Sequence, residues 1–145
     1  MDNLLNDIRR EVVDLHAFFV RWFNGTVVRE ELVPCFLSHM IDEVVFISPD
    51  GDVLRREQLE SGFSQAYGTN PDFKIEIRDV QILQKFEEIV LVNYTEWQKG
   101  AKASSQEQNA RITSALIDTG APFQWYHIHE TWLPENIRKA DPFAF

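Results

Sequence analysis

The run Phe73-Lys74-Ile75-Glu76-Ile77-Arg78-Asp79-Val80-Gln81-Ile82 alternates apolar with charged residues and then breaks step. Phe73, Ile75 and Ile77 share one parity, Val80 and Ile82 the other. A two-residue period that changes phase once marks a strand carrying one inserted residue, so the run predicts a long strand with a β-bulge near Asp79. Three further strands are expected at about 89–99, 108–117 and 123–133, joined by a loop at Gly100 and by Asp118-Thr119-Gly120. Upstream the period is helical instead. Leu4, Ile8, Val12, Leu15, Phe19 and Trp22 recur at steps of three and four, with Asp2 or Asn3 placed to cap the start and Asn24-Gly25 to end the helix. A shorter helical stretch is expected over 29–37, limited by Pro34, and a strand over 44–48 enters the turn Ser48-Pro49-Asp50-Gly51. Residues 56–67, with Leu59 and Phe63 four apart and Gly68 beyond, read as a third helix. Helices followed by a run of adjacent antiparallel strands imply an α+β domain, the helices gathered on one face of a curved sheet.

The 145 residues fit one domain, 1–145, with its core at about 2–133 and a tail, 134–145, that has no legible period. A chain of this length buries roughly 68–70% of its unfolded surface, and 44% hydrophobic residues supply the core. Fourteen basic against twenty-three acidic residues leave a net charge of −9, which repels a phosphate backbone and argues against nucleic acid as a partner. Asp2, Asp7, Arg9, Arg10, Glu11 and Asp14 interrupt the first helix, so neither a signal peptide nor a membrane span is read there, and a cytoplasmic location is the expectation. The lone Cys35 closes no intrachain disulfide, and without a basic neighbour in sequence it reads as a core residue.

The Ile47-Ser48-Pro49-Asp50-Gly51 turn, the bulged strand and the last strand Phe123-Gln124-Trp125-Tyr126-His127-Ile128-His129-Glu130-Thr131 together give the chain a resemblance. It is similar to the nuclear transport factor 2-like superfamily, most of all to its SnoaL-like branch of uncharacterised proteins and to the association domain of calcium/calmodulin-dependent kinase. In that branch the last strand holds an aromatic, three residues, then His-x-His-x-Ser; here Phe123 stands where Trp is usual, and Thr131 where Ser is. The resemblance covers the chain to about Leu133. It implies a cystatin-like fold, a cone-shaped curved antiparallel sheet with helices on its concave face. It leaves function open, because this fold hosts isomerases, dehydratases, transport factors and oligomerisation modules. The kinase association domain places arginines in its pocket; the matching positions here are Tyr94, Ser114 and Glu130, so the resemblance does not carry that anion-binding pocket over.

Strand parity assigns the faces independently of the resemblance. A turn centred near Gly120 lays Ser114 beside Tyr126, Ile112 beside Ile128 and Ala110 beside Glu130, with Leu116 and Trp132 on the same side. A hairpin about Gly100 adds Val92, Tyr94 and Glu96 to that more apolar face, which is expected to meet the helices and line a cavity. The opposite face then carries Asn93, Thr95, Trp97, Arg111, Thr113, Trp125, His127, His129 and Thr131, and a bulge in any of these strands reverses the assignment.

The expected cavity lining is therefore Phe19, Trp22, Phe63, Tyr94, Glu96, Ser114, Tyr126, Ile128 and Glu130. Glu96 and Glu130 lie one strand apart at the same end, about two strand spacings of roughly 4.8 Å from each other. A buried carboxylate near another titrates high and serves as general acid or base, with Tyr94 beside them as hydrogen-bond donor; the plainer reading is a solvated rim. His16 flanks the helical stripe, either at the cavity mouth or packed beside it. His127 and His129 have a metal-ligand spacing but lack a third ligand on their face, so no metal is expected. No phosphate loop, Walker lysine, Gly-x-Ser-x-Gly elbow or Cys-x-x-Cys is present, and no cofactor is expected. Three readings remain: a dimeric domain binding a small apolar or weakly polar ligand, a cofactor-free lyase or isomerase using Glu130 or Glu96 with Tyr94, and a purely structural association module. Trp97, Trp125, Arg111 and the histidines on one sheet face argue for a homodimer through that face, since aromatic residues and Arg are enriched at interfaces.

Overall fold

A computed structural model describes residues 2–102 and 108–138. The long helix α1 (Asp2–Asn24) comes first, and its apolar stripe, Ile8, Val12, Leu15, Phe18 and Trp22, is buried almost completely. It ends as Asn24-Gly25 leads one to expect: Gly25 adopts φ +78°, and the amide N–H groups of Gly25 and Thr26 donate to the carbonyls of Trp22 and Arg21. Pro34 leaves the next stretch as a single turn of helix, α2 (Leu32–Cys35), between two 3₁₀ turns. Then come β1 (Met40–Ile47), β2 (Val53–Arg55) and α3 (Arg56–Ala66), with β2 the strand that the sequence reading misses. The four long strands follow: β3 (Lys74–Phe86), β4 (Ile89–Lys99), β5 (Gln108–Asp118) and β6 (Gln124–Trp132), with one further turn, α4 (Glu135–Arg138), in the tail.

The six strands form one curved, unclosed sheet in the order β2-β1-β6-β5-β4-β3. Every pair is antiparallel, as expected of the four long strands, except β1 with β6, which run parallel. β1 and β6 are joined by most of the chain, so no tight hairpin dictates their relative direction. The bulge at Asp79 is real. Arg78 pairs with Thr95 and Gln81 with Asn93, leaving one extra residue on β3, and Asp79 takes φ +59°, a region its short polar side chain tolerates. A second slip between Ile82 and Gln84 turns the strand further. The helices cover one face of the sheet, and Val80, Val90, Val92, Tyr94, Ala115, Ile117, Trp125 and Ile128 meet α1 in the core. Among the described residues no helix is long and apolar enough to cross a membrane.

Candidate functional site

The core is not filled between α1, α3 and the sheet. A cavity of about 310 Å³ remains there, walled by Leu15, Phe19, Phe23, Phe36, Phe46, Leu54, Leu59, Phe63, Phe73, Ile75, Trp125 and Ile128. The rings brace one another. Phe63 lies 5.0 Å from Phe19, 4.5 Å from Phe36 and 5.4 Å from Phe23 between centroids, within the range of favourable aromatic pairs.

All the ionisable groups of the wall, His16, Tyr94, Glu96, Arg111 and Glu130, collect where β4, β5 and β6 run side by side. The register makes this row: Glu96 faces Arg111, Arg111 faces Trp132, Tyr94 faces Thr113 and Thr113 faces Glu130. His16 reaches the row from α1. Its Nδ1 lies 2.7 Å from the Val12 carbonyl, which only accepts, so Nδ1 carries a proton and Nε2 is aimed at Glu96 Oε1, 3.2 Å away. From there a chain of hydrogen bonds crosses the sheet. Gln98 Nε2 donates to Glu96 Oε2 (2.6 Å), Asn109 Nδ2 to Gln98 Oε1 (3.4 Å), Arg111 Nη2 to Asn109 Oδ1 (2.9 Å) and Arg111 Nη1 to Glu130 Oε1 (3.1 Å). The Arg111 guanidinium also lies over the Trp132 ring, 4.7 Å from its centroid.

The two carboxylates part company along this chain. Burial opposes the Glu96 charge, but His16, Arg111 and the Gln98 amide outweigh it and hold Glu96 at about 2. Burial likewise opposes the His16 charge, and the Glu96 carboxylate overcomes it and raises the imidazole, so the two form a buried ion pair. Glu130 goes the other way. Burial and then the nearby Glu96 charge push it up to about 7, against Arg111, which pulls it down. Tyr94 is raised well above its ordinary value by burial and by both carboxylates, so it stays a hydroxyl donor. One end of an apolar cavity therefore holds an acid that titrates near neutrality beside a phenol and a guanidinium.

Of the residues expected here, Phe19, Phe63, Tyr94, Glu96, Ile128 and Glu130 line the cavity. Trp22 does not: it is 1% exposed in the core, its indole N–H donating to the Phe63 carbonyl (2.7 Å). Ser114 is on the other face, opposite His129, and Tyr126 is 38% exposed at a register slip. Three residues assigned to the opposite face are turned inward, Arg111, Thr113 and Trp125, the last with no exposed surface and its Nε1 donating to Glu11 Oε2 (2.8 Å). The cause is the slip at Tyr126. Asp118 pairs with Gln124, so the hairpin is centred one residue later than Gly120, which moves each partner by two and keeps the faces; the one-residue slip at Tyr126 then reverses β5 against β6. Asn93, Thr95, Trp97, His127, His129 and Thr131 are on the outer face as expected, with Ile112, Ser114 and Leu116 between them. Cys35 is only half buried, and its thiol, donating to Glu31 Oε2 at 3.2 Å, is raised by burial and by that carboxylate.

The SnoaL-like domain family model matches residues 17–132. The chain belongs to the SnoaL-like family. Solved structures similar to this SnoaL-like domain include an NTF2-like protein of unknown function from Pseudomonas aeruginosa, 23% identical, covering 88% of this chain and 98% of its own, with a TM-score of 0.78. The association domain of C. elegans CaMKII is 10% identical, covers 90% of this chain and 96% of its own, and has a TM-score of 0.66. A ketosteroid isomerase-like protein from Erwinia carotovora atroseptica is 16% identical, covers 92% and 99%, and has a TM-score of 0.62. At these identities the likeness is one of fold. No curated protein matches the chain.

Proposed function

We propose that this SnoaL-like domain binds a small, largely apolar molecule in the cavity between α1, α3 and the sheet, and acts as a homodimer through the outer sheet face. The observation that carries the binding reading is the wall itself: about 310 Å³ bounded by aromatic rings, with polar groups confined to one end, which is the usual make-up of a small-molecule site. Mass spectrometry of what copurifies with the native protein, followed by a thermal-shift screen of small apolar acids, ketones and lactones, tests it. A ligand that raises the melting temperature supports the reading; a cavity closed by side chains in a crystal structure leaves a purely structural module.

One observation favours a second reading, a cofactor-free lyase or isomerase. Glu130, raised to about 7 inside an apolar cavity, is suited to take or give a proton near neutral pH, and Tyr94 beside it is a donor for a developing oxyanion. Glu96 is unsuited to that role, being fixed as the carboxylate partner of His16. Glu130→Gln separates the two readings: it abolishes turnover of any substrate found if the enzyme reading holds, and leaves binding largely intact.

The dimer reading rests on an outer face where Leu91, Ile112 and Leu116 adjoin Asn93, Thr95, His127 and His129, an apolar patch set among hydrogen-bonding side chains. The likeness to a kinase association domain supports it. Sedimentation at micromolar concentration and pH 7.5 decides, a monomer removing the interface. Residence in the cytoplasm belongs to the same reading, Cys35 being a free thiol.

A further inference from the structure

Arg111 changes what the cavity can hold. Read from parity it belongs outside; in the fold its guanidinium lines the polar end, with Nη1 on Glu130 and Nη2 on Asn109. Its Nε is buried without a hydrogen-bond partner, an unmet donor on a permanent cation. Glu130 engages Arg111 through Oε1 only, and among the described residues no hydrogen bond reaches its Oε2.

The charges facing Glu130 are His16 from α1, Glu96 from β4 and Arg111 from β5; Tyr94 faces it as a neutral phenol, and α3 and β1 contribute only uncharged side chains to the wall. His16 and Glu96 cancel as a pair. The balance of the site therefore turns on Arg111, Glu130 and the ligand. A neutral ligand that accepts a hydrogen bond from protonated Glu130 leaves Arg111 as an uncompensated buried cation, and an amine places a second positive charge beside it; both are costly away from water. A carboxylate is different. It takes over the guanidinium, which matches carboxylates in shape and number of donors, while Glu130 accepts a proton and donates it back to the ligand as a hydrogen bond. Two cations then face two anions, and every strong donor has an acceptor. The remaining wall is aromatic and aliphatic, so the body of the ligand is apolar.

We propose that the ligand class of this cavity is a monocarboxylic acid with a ring-sized apolar body, its carboxylate held by Arg111 and by Glu130. The inference rests on the binding reading above and narrows it. The volume, about 310 Å³, corresponds to roughly ten waters at about 30 Å³ each, which suits one or two fused rings.

The test is calorimetric titration of the whole chain with a matched pair of probes, 2-naphthoate and 2-naphthamide, in buffers of different ionisation enthalpy. The acid is expected to bind at least about tenfold tighter than the amide at pH 6.5, and to take up about half a proton at pH 7 and nearly one at pH 8, Glu130 starting from about 7. Its affinity then falls about tenfold per pH unit above 7. Arg111→Gln removes the preference for the acid while the amide still binds. Glu130→Gln, whose amide donates at any pH, still binds the acid but abolishes both the proton uptake and the pH slope, which keeps the inference testable if the Arg111 variant does not fold. Equal binding of acid and amide overturns the carboxylate class, and acid binding without proton uptake overturns the part given to Glu130; either leaves the binding reading standing. Binding of neither pair member, nor of the smaller benzoate and benzamide, overturns both.

Discussion

Glu130→Gln also makes a stability prediction that needs no ligand. In the unfolded chain this carboxyl titrates at its ordinary 4.5; in the fold it titrates at about 7. Between those values the native state binds the proton more tightly than the unfolded state, so stability falls as pH rises through the window and levels off above it. A displacement of roughly 2.5 on the pH scale, at 1.36 kcal/mol for each unit, gives about 3 kcal/mol lost between pH 4.5 and pH 8. Glutamine keeps the shape and an oxygen for Arg111 but has nothing to ionise, so the variant escapes this loss. The neighbours disturb the comparison little. Glu96, at about 2, loses its contribution only as pH falls below 4.5. His16, raised, contributes fully below 6.5 and loses stability as pH rises through its folded value; the Glu130 charge is the smallest of the causes that raise it, so the variant keeps most of this contribution. Scanning calorimetry of wild type and variant at pH 5.0 and 8.0 reads about 2.5 kcal/mol of this difference: with about 3 °C per kcal/mol for a chain of this size, the gap in favour of the variant widens by about 8 °C at the higher pH. Parallel melting curves across the range refute the argument that Glu130 is buried and titrating near neutrality.

Glu11→Gln weakens a half-buried carboxylate, whose Oε2 accepts from both Trp125 Nε1 (2.8 Å) and His39 Nδ1 (2.7 Å), and is expected to cost about 2 kcal/mol in urea unfolding at pH 6. The cost shrinks as pH rises past the folded pKa of His39, which the Glu11 hydrogen bond holds above 6.5. Gly100→Ala forces a Cβ to 2.7 Å from the Asp72 carbonyl oxygen at φ +75° and lowers stability by about 1–3 kcal/mol, read as a drop in melting temperature. Leu116→Glu, on a residue 36% exposed in the middle of the outer face, converts a dimer into a monomer in sedimentation at pH 7.5 without loss of secondary structure. Burial and then the charge of His129 hold His127 below 6.5, so protonation is disfavoured in the folded chain; if the proposed dimer buries this pair further, it is expected to weaken as pH falls from 7.5 to 5.5, and an unchanged dimer at pH 5.5 removes the histidines from the contact.

Where the sequence carries a period, the fold is legible. The helical stripe of α1, the phase change at Asp79 and the 89–99 strand are all set by local alternation, and each is found within a residue or so of its expected place. β2, three residues long, is too short to carry a period, and α4 is a single turn. The site is half legible for a related reason. Tyr94, Glu96 and Glu130 follow from parity within one strand, but Arg111, Thr113 and Trp125 depend on how one strand is registered against the next. That register is decided by the slip at Tyr126 and by how the β4–β5 connection pairs its strands, neither of which alternation records. A usable signal was present: Arg111, Thr113, Ala115 and Ile117 share a parity, and placing Ala115 and Ile117 against Val92 and Val90 brings Arg111 opposite Glu96. His16 is harder to read, since a histidine at the edge of an apolar stripe gains its meaning only from the carboxylate across the cavity.

The polar end of the cavity is an expensive feature for a domain of this size. Buried ion pairs seldom repay their desolvation, and apolar residues of the same volume at His16, Glu96, Arg111 and Glu130 would serve the core as well or better. The Arg111 Nε atom is buried without a partner, a deficit that a core built for stability alone does not carry. Yet the arrangement is ordered. One continuous run of hydrogen bonds fixes Glu96 as an anion, sets His16 as its partner, and uses Asn109 to hold Arg111 against Glu130, which is left with a proton it can exchange near neutral pH. On the proposed reading these groups hold an adjustable charge beside an apolar space for a ligand that brings the balancing charge with it, a charge for which a purely structural module has no use.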